Sequence, residues 1–305
     1  MSLSKPKITP AFWTHKYAES QDGRVHLAGV DVDSPRFTTE DPELCQFLFL
    51  YGIENGLVLV PRSAPYGGAW ADEPGLNFER AIEIFINSTA KIHKASRFQF
   101  VFPARRFADD VFDTQIDFFR SRGATTSHVD ASQGINVNKW ELEKCSKGNR
   151  KKLRQFLEAG GVFRRAEVSE LPDIYEIIRL NRENIGVTPS ISLEQLQKSF
   201  ALMPSIYSAW VATIDGSIAA VAITLRVKHD NEYVYMWADN LAFRNFSPIV
   251  AICEGLISVT KCSGVTMLDL GISSVRGVVN ENLFRFKSNL GADSYEKPTF
   301  VVETN

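Results

Sequence analysis

No two cysteines stand close together in this sequence. Cys45, Cys145, Cys253 and Cys262 are scattered, and none forms a CxxC pair. That speaks against a zinc site or a redox dithiol. The four read instead as buried reduced thiols, with Cys253 and Cys262 in or near an apolar helix. The five histidines show no metal-ligand spacing. No charge of one sign dominates: the net charge is −2. That argues against a general nucleic-acid coat, but not against a local basic patch. No apolar run approaches the ~20 residues of a membrane span, and no charged-then-apolar signal segment opens the chain. The expected setting is cytoplasmic. The GxSxG elbow, the Walker A loop and the dinucleotide-binding glycine fingerprint are missing as well.

What is present is the composition of a globular protein. A length of 305 residues fits about two domains, and the 21 phenylalanines are enough for a core in each. The C-terminal half is the more legible. A strand over 162–168 comes first, and Ile174, Ile177, Ile178 and Asn181 mark a helix. Ser192 and Gln195 form a capping box, and Leu193, Leu196, Phe200 and Met203 follow at helical spacing before Pro204. A three-strand meander comes next, over 206–214, 218–227 and 232–238. It turns at Asp215-Gly216 and near Asp230-Asn231. Tyr233, Tyr235, Trp237 and Asp239 alternate, which predicts that they share one face. Ser247 reads as an N-cap with Pro248 at the first helical position, leading into Ile249, Cys253, Leu256 and Ile257. A strand over 266–272, a helix over 280–290 stopped at Gly291, and a strand over 299–302 complete the chain.

The N-terminal half shows strands over 24–32, 57–60 and 98–102 and helices over 78–92 and 111–119. A helix over 140–159, ended by Gly160-Gly161, joins the halves and predicts domains of 1–139 and 140–305. The expected fold class is α+β or α/β, with mixed central sheets flanked by helices. The order of elements in the second half resembles that of the acetyltransferase (GNAT) fold. The first half reads as a degraded copy of it.

Several residues stand out chemically. Lys287 falls in the middle of the apolar face formed by Leu283, Phe286 and Leu290. It is either a lysine that snorkels at an edge or a cation held at a cleft for phosphate or a developing oxyanion. Asp239 and Asp269 are acids on strands. Each either takes a proton from an attacking amine or ties a loop in place. The aromatic stripe of Tyr235 and Trp237 either packs a core or lines a ligand. Lys144, Lys147, Arg150, Lys151, Lys152 and Arg154 form a dense basic run, with Arg150 and Arg154 on one helix face. Its readings are a solvated face or a patch for phosphate. Tyr66 and Gly67, within Pro65-Tyr66-Gly67-Gly68, read as a tight loop where backbone approaches a ligand or turns.

These residues resemble a family. Asn282-Leu283-Phe284-Arg285-Phe286-Lys287, followed by Leu290-Gly291-Ala292, is similar to the ending of Fem-family proteins. There a Phe-Lys pair precedes a glycine near the C-terminus. Asp269-Leu270-Gly271-Ile272-Ser273-Ser274, the Pro65-Tyr66-Gly67-Gly68 loop and the basic joining helix fit in the same order. The resemblance implies two GNAT-like domains in tandem, with a substrate cleft between or beside them. It implies transfer of an aminoacyl group from tRNA to an amine of a cell-wall precursor, with Lys287 stabilising charge and Phe286 beside it. Coenzyme A users of the fold carry a glycine-rich turn before the helix that follows the meander, where backbone amides grip the pyrophosphate. Here that stretch is Phe243-Arg244-Asn245-Phe246-Ser247-Pro248, with no glycine. The helix start at Ser247 still favours an anion. The acyl donors left open are aminoacyl-tRNA and acetyl- or acyl-coenzyme A. A coenzyme A-dependent N-acetyltransferase and a catalytically silent binding protein are the competing readings.

Overall fold

Turn chemistry sets the strand pairing. Asp215 and Gly216 take positive φ values of 47° and 77°, as an Asp-Gly hairpin demands. They join β8 (Tyr207–Ile214) to β9 (Ser217–Lys228). Asn55 and Gly56 do the same, at 50° and 77°, between β3 (Phe47–Glu54) and β4 (Leu57–Val60). The computed structural model describes residues 16–21, 23, 25–62, 69, 77–104 and 110–304. They divide into two compact units. One holds the described residues up to Ser132, Ser274–Val279, and those from Tyr295 on; the other holds Gln133–Ser273 and Asn280–Ser294.

In the first unit, β1 (His26–Asp31) pairs antiparallel with β2 (Arg36–Thr38) and β3, and β3 pairs with β4. β4 runs parallel to β5 (Arg97–Val101), from Leu57↔Arg97 to Val60↔Phe100. Between these two strands the chain forms α1 (Phe78–His93), capped by Asn77, whose side chain accepts from the Arg80 amide. After β5 comes α2 (Asp110–Ser121). The core is phenylalanine-rich. Phe85 stacks on Phe49 at 4.3 Å between ring centroids, and Phe119 lies 4.6 Å from Phe100.

The second unit repeats this order. The meander of β8, β9 and β10 (Asn231–Asp239) is followed by α6 (Ile249–Cys262). Then come β11 (Met267–Ile272), parallel to β10, and α7 (Glu281–Ser288). Ahead of the meander lie α3 (Lys147–Glu158), β7 (Val162–Arg165), α4 (Leu171–Glu183) and α5 (Leu193–Leu202). The capping box at Ser192 and Gln195 is formed in both directions. Two copies of a meander, a helix, a parallel strand and a helix make this a tandem GNAT fold.

The chain crosses between the units more than once, and the short antiparallel pair β12 (Ser274–Val275) and β13 (Val278–Val279) belongs to the first unit. β6 (Thr125–Asn136) begins in the first unit, and its last residues enter the second, where the strand neighbours β11. β14 (Asp293–Glu303) starts in the second unit and ends against β5, with Thr299↔Val101 and Glu303↔Arg97 in register.

Local expectations differ from the structure at several places, and the last strand starts at Asp293 rather than Thr299. The joining helix starts at Lys147 rather than Trp140, because Ser146 accepts from the Asn149 amide and acts as its N-cap. The strand after it ends at Arg165, because Glu167 and Glu170 form a capping box that turns the chain into α4. Ser247 is not the N-cap of α6. A 3-10 helix occupies Leu241–Phe246, Ser247 reverses the chain in the left-handed region at φ 49°, and Pro248 takes the cap position. Cys262 is exposed at the end of α6, whereas Cys145 and Cys253 are buried, and none of the four cysteines is in a disulfide.

Phe300 of β14 is buried in the first unit's core, 5.9 Å from Phe102 and 5.8 Å from Phe119 between centroids. Phe300→Ala is expected to cost about 3–5 kcal/mol. The loss should fall on the first unit: amide exchange at Phe98 and Phe100 accelerates, while exchange along β9 is unchanged.

Candidate functional site

The second unit's sheet opens between β10 and β11. Their parallel register runs from Asn231↔Met267 to Tyr233↔Asp269. Beyond it, β10 follows β9 as far as Asp239↔Ala220. A bulge lies at the opening, where the register jumps between Val234↔Thr224 and Met236↔Ile223. A bulge adds a residue to one strand and redirects its side chains. This one corrects the expectation that Tyr233, Tyr235 and Trp237 share a face. Tyr235 packs edge-on against Tyr207, which in turn meets Phe200 of α5. Trp237 lies across from Ala222 on the face packed by α6, and meets Phe286 of α7 at 6.2 Å between centroids. In the first unit the corresponding pair, β4 and β5, stays in register to the last residue of β4.

Lys287 reaches the end of β11, past its pairing with β10. Asn280 caps α7 by accepting from the Leu283 amide at 3.1 Å. Lys287 is 2% exposed, the one buried residue of the helix. It does not snorkel. Its Nζ donates to the carbonyls of Gly271 and Ile272, both at 2.9 Å. An ammonium has three N–H donors, so one remains beyond these two. Asp269 is 3% exposed, and its Oδ1 accepts from the Gly271 amide at 2.7 Å. Gly271 has φ +74°, and a Cβ there would come within 3.5 Å of the Tyr233 ring. Glycine thus lets the backbone turn its carbonyl to the lysine with the tyrosine packed alongside. Burial lowers the Lys287 pKa to about 8, and the Asp269 carboxylate opposes that fall.

The other candidate residues are spread through the second unit. Asp239 accepts from Asn181 Nδ2 at 2.6 Å and pairs with Arg244 at 3.2 Å, so it ties α4 and the loop before α6 to the strand end. Arg150 donates to the Glu143 carbonyl at 2.9 Å, and Arg154 lies 3.6 Å from Glu158. Lys152 donates to the Asn245 carbonyl, while Lys147 and Lys151 are exposed. The loop without glycines spends its amides internally: Ala242 and Phe243 donate to Asn240, and Ser247 donates to Arg244. Tyr66 and Gly67 lie outside the described residues. The carbonyls of Gly271 and Ile272 escaped sequence reasoning, because a backbone acceptor leaves no mark on residue type. Among the described residues, no group of three or more His, Cys, Asp or Glu is placed to hold a metal. Among them, no helix is long and apolar enough to cross a membrane.

The depressed lysine pKa has a consequence for stability. The unfolded lysine keeps its proton up to pH 10.5, while the folded one releases it near 8. Between these values the unfolded chain binds more protons, so stability rises with pH. The stability of the wild type relative to K287M is expected to rise by up to about 3 kcal/mol across that window. Urea unfolding of both proteins at several pH values measures it.

No family model and no curated protein matches the sequence. Solved structures do. FemX is 13% identical, with a TM-score of 0.66 over 95% of this chain and 91% of its own. The C-terminal domain of a protein described as a lysylphosphatidylglycerol synthetase from Agrobacterium fabrum is 13% identical, with a TM-score of 0.65 over 97% and 92%. The L-PGS structure from Bacillus licheniformis is 12% identical, with a TM-score of 0.64 over 95% and 86%. The chain therefore has the Fem-like tandem GNAT fold, shared across nearly its whole length with these proteins.

Proposed function

We propose that this protein is an acyltransferase that moves an aminoacyl or acyl group onto an amino group of a cell-envelope or related precursor. One observation carries the reading: a buried lysine held on two backbone carbonyls at the end of β11, past that strand's pairing with β10. In this reading the acceptor amine attacks the carbonyl carbon of an activated ester or thioester. A C–N bond forms and the carbonyl oxygen becomes an oxyanion, which the remaining N–H of Lys287 stabilises in surroundings of low dielectric. The oxyanion collapses, the bond to the ester oxygen or thioester sulfur breaks, and the leaving group departs. The amine's proton goes to Asp269 or to a phosphate of the substrate. Asp239, engaged by Asn181 and Arg244, serves the scaffold. Trp237 and Phe286, in edge contact, wall the opening, and Tyr235 supports the bulge.

Two features favour aminoacyl-tRNA over acetyl-coenzyme A as donor. The loop before α6 has no glycine, and its amides at 242, 243 and 247 are already engaged. The first turn of α3 carries Lys147 and Arg150 and no acid. Cations there oppose the helix dipole, an arrangement that a polyanion relieves. One structural relative is described by a lipid, lysylphosphatidylglycerol, which extends the class of acceptors to membrane precursors.

Titration with acetyl-coenzyme A is expected to give no saturable heat up to millimolar ligand; one-to-one micromolar binding would hand the lead to the N-acetyltransferase reading. With a pool of aminoacyl-tRNAs and envelope precursors, the wild type should form an amide product. Lys287→Ala should stay folded and lose at least about 100-fold in turnover. Saturable binding with no product in the wild type would make the protein a binding module. The active lysine is the protonated one, so turnover should fall as pH rises through about 8. A flat profile from pH 7 to 10 rules out the cationic role.

A further inference from the structure

Gln133, in the part of β6 that enters the second unit, is fully buried. Its carboxamide makes three hydrogen bonds. Ser273 Oγ donates to Oε1 at 2.6 Å. Nε2 donates to the Phe284 carbonyl at 3.1 Å and to Ser288 Oγ at 3.0 Å. A carbonyl can only accept, so Phe284 fixes which end of the amide faces α7 and leaves Oε1 for the serine.

The placement of these partners is informative. Ser273 directly follows Ile272, whose carbonyl holds Lys287. Ser288 directly follows Lys287, and Phe284 precedes it by one helical turn. Each arm of the glutamine thus ends beside one of the lysine's own anchor points. Burying an amide without partners is costly, and an apolar side chain would fill the same volume. A fully satisfied polar tie specifies geometry that apolar packing leaves loose.

We propose that Gln133 is the positioning residue of this site, holding α7 at a fixed distance from the exit of β11 so that Lys287 stays buried on the two carbonyls. The inference rests on the reading of Lys287 as the charge-stabilising group. Asp269, on β11, is the charged group that acts on the lysine.

The test reads the lysine itself. With lysine labelled by carbon-13 at Cε, the Lys287 signal is assigned by its loss in K287R, and its titration is followed by NMR. Gln133→Leu keeps the volume and removes all three hydrogen bonds. Lys287 is then expected to titrate higher by about one pH unit or more, as α7 loosens and water reaches the ammonium. Gln133→Glu keeps the shape but sets a carboxylate oxygen against the Phe284 carbonyl, and should also raise the titration. If the leucine variant does not fold, Ser273→Ala and Ser288→Ala each remove one arm and should raise it by smaller steps. An unshifted titration in folded Q133L, or in both serine variants, overturns the proposal. Because the readout is not turnover, it is independent of the acyl-transfer reading. A wild type that forms no product sinks that reading while the lysine titration still decides on Gln133.

Discussion

The organising constraint of the second unit is the burial of one ammonium group. Water solvates a lysine well, and removing it requires replacement partners of similar strength. Here these are the carbonyls of Gly271 and Ile272, which become available because β11 has run past its pairing with β10. In a continuous parallel ladder, backbone acceptors are spoken for by the neighbouring strand. The parting of the strands, the bulge at Tyr235 and the left-handed Gly271 therefore form one arrangement. Each is needed so that backbone oxygens can point at a cation rather than at a strand. The first unit has the same order of elements, keeps its ladder closed and fills its interior with phenylalanine.

Much of this was legible in the chain. The second unit's meander, its Asp215-Gly216 turn and the capping box at Ser192 follow from local rules that tertiary context did not override. Lys287 was found because a charged residue on an apolar stripe conflicts with its surroundings. What stayed hidden was non-local. β6 carries Thr125, Thr126, Val129 and Ile135, but they are separated by the polar and small run Asp130-Ala131-Ser132-Gln133-Gly134, so its pattern did not announce a strand. The bulge at Tyr235 inverted the face of Trp237, because period-two reasoning assumes an unbroken pleat. Ser247 looked like a cap because a serine before a proline often is one; the 3-10 helix just before it took up the chain first. The Asn55-Gly56 hairpin was a readable signal that went unused, and β3 with it.

The identity between this chain and its structural relatives is low, and their common ground is topological. A GNAT-like unit needs a twisted meander, a helix over it and a parallel strand that leaves early. Many sequences satisfy those demands with different side chains. In the proposed reading the site lies at the few positions where the fold's demands and a residue's own preference disagree: an acid inside a strand, a lysine inside a core, a glutamine fully enclosed.

The strand exchange also affects the order in which the protein can be made. β14 supplies the strand that β5 pairs with and places Phe300 in the first unit's core. During synthesis the chain grows from its N-terminus, and domains usually fold as they emerge. Here residues 26–121 leave the ribosome while the strand that completes their sheet is not yet translated. The edge of β5 stays open for nearly two hundred residues of elongation, an invitation to wrong pairing. Maturation of the first unit waits for β14 to be translated, and a chain cut before that strand cannot complete the sheet.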